Sequence, residues 1–284
     1  MSDVFELNKL ALQALEEDNE VYAVKALREN AQKYPCCMTL NNLGVYYSTW
    51  GMLQKNGKIK NASKVGLRHL LKASELGADW RNCANIADVF YRFNNIEKAE
   101  EYYSSAYQLH QNELVLYNKV VCLYRFGRYK ECIEILKSLC ISKDIEQFDY
   151  NGGQNPFIIL ANCYLKINDL ENCKKCIKHY SDIWNEDMLD VFELRHSVGE
   201  YEEALSECER LIKGLYITKN CLARLADCLE YAPQYRSVVH AALDDSKLQK
   251  ELEKLGYDKE LRMKLVNEDE YWTPIIGMGY FIED

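Results

Sequence analysis

The sequence predicts an all-α fold, a right-handed α-solenoid of about six helix-turn-helix units with capping helices at its C-terminal end. Two observations carry this. When Asn82 to Ala106 is laid over Val115 to Leu139 with a shift of 33 residues, Asn85 meets Asn118, Tyr91 meets Tyr124, Arg92 meets Arg125 and Phe93 meets Phe126. In both copies apolar residues recur at helical spacing on either side of a polar turn, Asn94-Asn95 in one and Gly127-Arg128 in the other,. A fixed period of this size marks a repeat array. The expected organisation is an array over residues 1–230, closing helices over 231–270 and an aromatic tail over 271–284.

The remaining elements follow in order. In the first unit, residues 4–35, Leu7, Leu10, Ala11 and Ala14 share a helical face and Glu17-Asp18-Asn19 makes the turn. Ala23, Ala26 and Leu27 face back from a second helix that Pro35 ends,. The second unit starts at Leu40. Leu40, Leu43, Gly44 and Tyr47 repeat the spacing of Cys83, Ile86, Ala87 and Phe90, and a long lysine-bearing loop (Lys55, Lys58, Lys60) precedes Gly66, Leu70 and Ala73. That loop reads as a solvated insertion. A fifth unit places Phe157, Leu160, Ala161 and Tyr164 before the turn Asn168-Asp169, with Cys173 and Ile177 after it. Gly152-Gly153 follows no strand and reads as loop,. An irregular sixth unit turns at Gly199-Glu200-Tyr201, and a half-unit around Leu222, Leu225, Ala226 and Leu229 stops at Tyr231-Ala232-Pro233. Asp245 or Ser246 then caps a helix stopped by Gly256, and Asp258 starts another carrying Leu261 and Leu265,.

The pattern Leu-Gly-x-x-Tyr with small residues at Gly44 or Ala87, then Gly66/Ala73 and Ala99/Ala106, resembles the tetratricopeptide repeat over about residues 4–230,. The second unit, with its long turn, resembles the related Sel1-type variant. Small residues matter because two helices approach within about 8–10 Å only where side chains are short.

Composition narrows the function. An apolar content of 48% suffices for a core, whereas a net charge of −9 argues against a general nucleic-acid binder,. No apolar run reaches the length of a membrane span, and Met1 to Phe5 lacks the basic start of a signal peptide, so a cytoplasmic protein without membrane contact is expected,. The five His (His69, His110, His179, His196, His240) are scattered, and no nucleophile, phosphate-loop or metalloprotease string occurs,. No catalytic residue and no cofactor is therefore assigned. Cys173, Cys176 and His179 form the sharpest metal-like or thiol string, the basis of an alternative zinc, thiol or enzymatic reading,. The repeat gives a plainer one: Cys132 and Cys173 stand where Ala23 and Ala99 stand, and Cys122, Cys163 and Cys228 share one first-helix position, so they pack as small apolar residues,. Cys36-Cys37 is the pair expected to be exposed and oxidisable.

A binding role remains. The resemblance implies that first helices line a concave groove in which Asn42, Asn85 and Asn118 hold a ligand backbone, since an amide donates and accepts at once,. Tyr91 and Tyr124 beside Arg92, Arg125 and Lys166 add aromatic and cationic character, and Asp88 completes the candidate set. The competing reading is that these polar residues merely solvate the face or bridge neighbouring units. The family's clamp for an acidic C-terminal peptide is not supported, because the first unit has Asn8 and Leu12 in the clamp positions. The expected partner is a protein, an extended peptide, or the chain's own tail from Tyr271 to Asp284. A peptide-responsive regulator without a DNA-binding domain is the alternative within this class.

Overall fold

The structure, a computed structural model, describes residues 2–53, 62–77, 79–141, 155–183, 188–206, 208–214 and 217–267. The lysine loop, Gly152-Gly153 and the aromatic tail lie outside these residues. The described residues are helix and turn, as the repeat pattern requires. Two compact units divide the chain between Phe126 and Gly127.

The first unit holds α1 (Ser2–Glu16), α2 (Glu20–Lys33), α3 (Cys37–Leu53), α4 (Ala62–Leu76), α5 (Trp80–Arg92), α6 (Ile96–Leu109) and α7 (Glu113–Arg125). Successive helices pack in hairpins, α1 on α2, α3 on α4 and α5 on α6, and each hairpin leans on the next. The alanines picked out by periodicity make this possible: Ala23, Ala73, Ala87, Ala99 and Ala106 are fully buried. In the second hairpin the contact is backbone to backbone. A Cβ on Gly66 would stand 2.7 Å from the Gly44 carbonyl oxygen, and one on Gly44 would stand 2.7 Å from Leu70 Cγ.

The second unit holds α8 (Tyr129–Ile141), α9 (Pro156–Lys166), α10 (Leu170–Ile183), α11 (Met188–Ser197), α12 (Tyr201–Ser206), α13 (Cys208–Gly214), α14 (Lys219–Tyr231), a 3-10 turn (Pro233–Tyr235), α15 (Arg236–Ala242), α16 (Ser246–Tyr257) and α17 (Lys259–Val266). Its C-terminal core gathers Leu222, Leu225 and Leu229 of α14 against Leu252 and Leu255 of α16. Asp245 caps α16 by accepting from the Lys247 amide at 2.7 Å, and Asp258 caps α17 by accepting from the Leu261 amide at 3.0 Å. Gly256 lies inside α16, which ends at Tyr257, so the stop falls one residue later than its sequence suggests. The short helices α13 and α15 carry no repeat signature.

The turns that follow five of the helices share one construction. Asp18, Asn94, Gly127, Asn168 and Gly199 occupy the same repeat position, and all have positive φ, between 57° and 79°. In four of them the amide of the following residue reaches back five residues to a helix carbonyl: Asn19 to Ala14 at 2.7 Å, Asn95 to Phe90 at 2.9 Å, Asp169 to Tyr164 at 2.9 Å and Glu200 to Arg195 at 2.9 Å. This closes the helix C-terminus in a Schellman motif, for which Gly or Asn is favoured because either tolerates the left-handed region.

Candidate partner-binding site

The site is built from the first helices of the first unit. α5 is capped by Asp79, whose carboxylate accepts from the Arg81 amide at 2.8 Å, and α7 by Asn112, which accepts from the Val115 amide at 3.2 Å. Their matched phase carries Asn85, Asp88, Tyr91 and Arg92 on one helix and Asn118, Tyr124 and Arg125 on the other.

The structure brings the expected asparagines together, in the interior. Asn42 donates to Asn8 at 2.6 Å, Asn41 to Asn42 at 3.3 Å, and both Asn82 and Asn85 to Asn41, at 3.1 and 3.0 Å. All five are buried, as is Asn118. This amide chain joins α1, α3 and α5. Buried amides are costly unless bonded, so the chain fixes how the hairpins stack.

Asp88 is also buried. It accepts a short hydrogen bond from the Tyr103 hydroxyl of α6, while its Oδ2 has no hydrogen-bond partner among the described residues. Burial pushes this carboxyl up to about 7, against the opposing pull of the Tyr103 bond and of Arg92,. Arg92, half-buried, donates to the Ser48 carbonyl of α3 at 2.8 Å, and burial holds its guanidinium below the ordinary arginine range.

Arg125 stands nearer the surface. Its Nη2 donates to Asn94 Oδ1 at 2.9 Å, and its guanidinium lies over the Tyr91 ring, 5.3 Å from the centroid. Tyr91 is buried and Tyr124 is half-buried, whereas Lys166, in the second unit, is exposed. Around Arg125 opens a cleft of about 570 Å³ walled by Phe93, Ile96 and Phe126, with Asn94, Asn95 and Glu97 as its polar edge. Phe93 and Phe126 are 40% and 45% exposed at matching turn positions. The 33-residue shift aligns these two phenylalanines; their outward direction is not carried by helical spacing, because each stands just past a helix end, beside a left-handed turn residue, Asn94 or Gly127, that reverses the chain.

No family model matches the sequence. Heat shock protein STI1 of Saccharomyces cerevisiae is 29% identical over 120 residues, which covers 42% of this chain. The chain matches only 20% of that protein's length. Among solved structures, a tetratricopeptide repeat protein from Parabacteroides merdae superposes with a TM-score of 0.61 at 16% identity, covering 94% of this chain and 98% of that one. The C-terminal part of a repeat protein from Cytophaga hutchinsonii gives 0.58 at 12% identity, covering 91% and 98%. The fold is that of the tetratricopeptide repeat.

The tetratricopeptide pattern also accounts for the cysteines. Cys122, Cys132, Cys163, Cys173 and Cys228 are fully buried at the small-residue positions. Burial raises the thiols, Cys173 to about 12 and Cys176 to about 11, so they stay protonated near neutral pH,. Cys173 faces the core, Cys176 is half-buried and His179 lies at the surface against the Phe157 ring, 4.8 Å between centroids. No group of three potential ligands converges among the described residues. Cys36 and Cys37 are half-buried, and burial raises Cys37 to about 11. No helix among the described residues is long and apolar enough to cross a membrane.

Proposed function

We propose that the chain is a non-catalytic, cytoplasmic scaffold that binds a partner protein or extended peptide through the first helices and turns of its first unit. The observation that carries this reading is Arg125, fastened by Asn94 and the Tyr91 ring at the mouth of a cleft with two exposed phenylalanine walls. Such a cleft fits a large apolar side chain flanked by a carboxylate, with Arg125 supplying the directional contact. Within the candidate set, Arg92, Tyr124 and Arg125 are the contact residues of the first unit. Asn42, Asn85, Asn118 and Asp88 act one layer deeper by holding those helices in place, and Lys166 is a separate contact point. The tail from Tyr271 to Asp284, aromatic and ending in two acids, has the composition of a competing ligand.

Affinity capture from the source cells tests the reading with three proteins: the intact chain, the Arg92→Glu/Arg125→Glu variant and a form ending at Glu270. A partner held by the intact chain and lost in the double variant supports it, and stronger capture by the shortened form makes the tail a competitor. Identical capture by all three overturns the assignment.

A further inference from the structure

In the second unit a cleft of about 430 Å³ opens between α10 and α11. Its floor is Ile177, and Lys174, Lys175 and Lys178 from α10 meet Arg195 from α11 at its walls. With Glu171 and Glu200 as its carboxylates, the cleft has an excess of two positive charges in a chain of net charge −9. One anion already shows where cations from both helices converge: Glu200 takes Arg195 at 3.0 Å on one oxygen and Lys174 at 3.4 Å on the other. Glu200 is itself placed by the left-handed Gly199 turn. Among the described residues Lys175 is ion-paired with Glu171 of its own helix, at 2.6 Å, and both side chains are largely exposed, so that pair exchanges readily,. Lys178 is exposed and has no ion pair among the described residues.

We propose that this cleft docks a phosphorylated serine or threonine of a partner segment. A single carboxylate would leave half of the positive excess unbalanced. A phosphoryl group carries a charge of about −1.5 to −2 at neutral pH and three acceptor oxygens, which suits donors arriving from two helices. Lysine ammonium groups bind it as point charges and the arginine fork adds direction. The proposal rests on the protein-binding reading above and adds a second, modification-dependent contact on a different unit.

The test is fluorescence anisotropy of the full chain with a labelled Ala/Gly peptide carrying one central phosphoserine, and with its serine and glutamate counterparts. The phosphoserine peptide is expected to bind about tenfold or more tightly than the glutamate peptide, reflecting its higher charge and extra acceptor. Lys174→Glu/Lys178→Glu is expected to weaken it about tenfold, and Lys178→Glu alone, which breaks no ion pair among the described residues, by about threefold. Lys247→Glu/Lys250→Glu, an equal charge change elsewhere, is expected to leave binding unchanged. Equal affinity for the phosphoserine and glutamate peptides, equal loss in the control variant, or no saturable binding would overturn the proposal. Because Arg125-dependent capture is measured separately, its persistence alongside a silent phosphopeptide removes only this inference, whereas its loss alongside a bound phosphopeptide removes only the first site.

Discussion

Gly66 lies so close to Gly44 that an added methyl group would stand 2.7 Å from the Gly44 carbonyl oxygen and 2.9 Å from the Ser48 amide nitrogen. These two atoms are backbone and cannot swing aside, and the Ser48 hydroxyl stands nearer still. Gly66→Ala gains up to about 1 kcal/mol of helix propensity, but forcing the helices apart costs about 1–3 kcal/mol, so a net loss is expected. Gly256, also helical, meets nothing within 4 Å. There Ala is expected to stabilise by about 0.5–1 kcal/mol. Urea midpoints of the two variants should move in opposite directions.

The turn position supplies a second pair. Asn168 has φ of 61°, and its change to Gly is expected to be neutral or stabilising by up to about 1 kcal/mol, since it relieves the left-handed strain,. Gly127, at 71°, should lose about 1 kcal/mol on change to Ala,. If both variants melt with the wild type, the turns do not constrain the hairpins.

The Asp88 carboxyl gives the first unit a defined pH response. Its value rises from 3.8 when free to about 7 when folded, so the folded state holds the proton more tightly. Stability from this group is complete below 3.8 and is lost as pH rises through about 7,. Asp88→Asn should flatten that decline, and the variant should gain on the wild type as pH increases. Tyr103→Phe, which removes the donor to a buried carboxyl, is expected to cost about 1–3 kcal/mol. Denaturant titrations across the pH range separate the two effects.

The second unit should respond in the opposite sense. His196 is buried and shares Asp227 with Arg262: His196 Nε2 lies 2.9 Å from one oxygen and Arg262 Nε 3.1 Å from the other. Burial holds the imidazole below its usual 6.5 despite the attraction of Asp227, and its Nδ1 has no hydrogen-bond partner among the described residues. The unfolded chain therefore takes up the proton first, and stability falls as pH drops below 6.5,. Arg262, 1% exposed, also reaches Glu230, so Arg262→Leu should destabilise this unit by about 3 kcal/mol or more by removing the buried guanidinium beside Asp227 and Glu230,. Hydrogen exchange should show α14 and α17 loosening first; unchanged protection there would refute the role of the arginine.

The hairpins, their turns and the small-residue contacts were legible because each depends on local spacing: Ala87, Ala99 and Asn94 act through neighbours on the same pair of helices. The fate of Asn42 and Asn85 was not. The family resemblance puts them on the inner side of the first helix, but Asn8 and Asn41, from other positions of the array, decide whether that side meets water or another amide. The ion-pair hub at Arg262 was hidden for the same reason, since His196, Asp227 and Arg262 belong to three helices with no common repeat position. The short α13 and α15 were hidden because a seven-residue helix is too brief to show a period.

Four amide bonds of the first unit run one way: Asn82 and Asn85 give to Asn41, Asn41 gives to Asn42, and Asn42 gives to Asn8. A one-way relay gives the stack a polarity: the middle helix α3 gives on the side of α1 and accepts on the side of α5. Two such hairpins meeting through the same face, as in a symmetric pair, would set oxygen against oxygen or NH₂ against NH₂, whereas head-to-tail stacking sets donor against acceptor at every step.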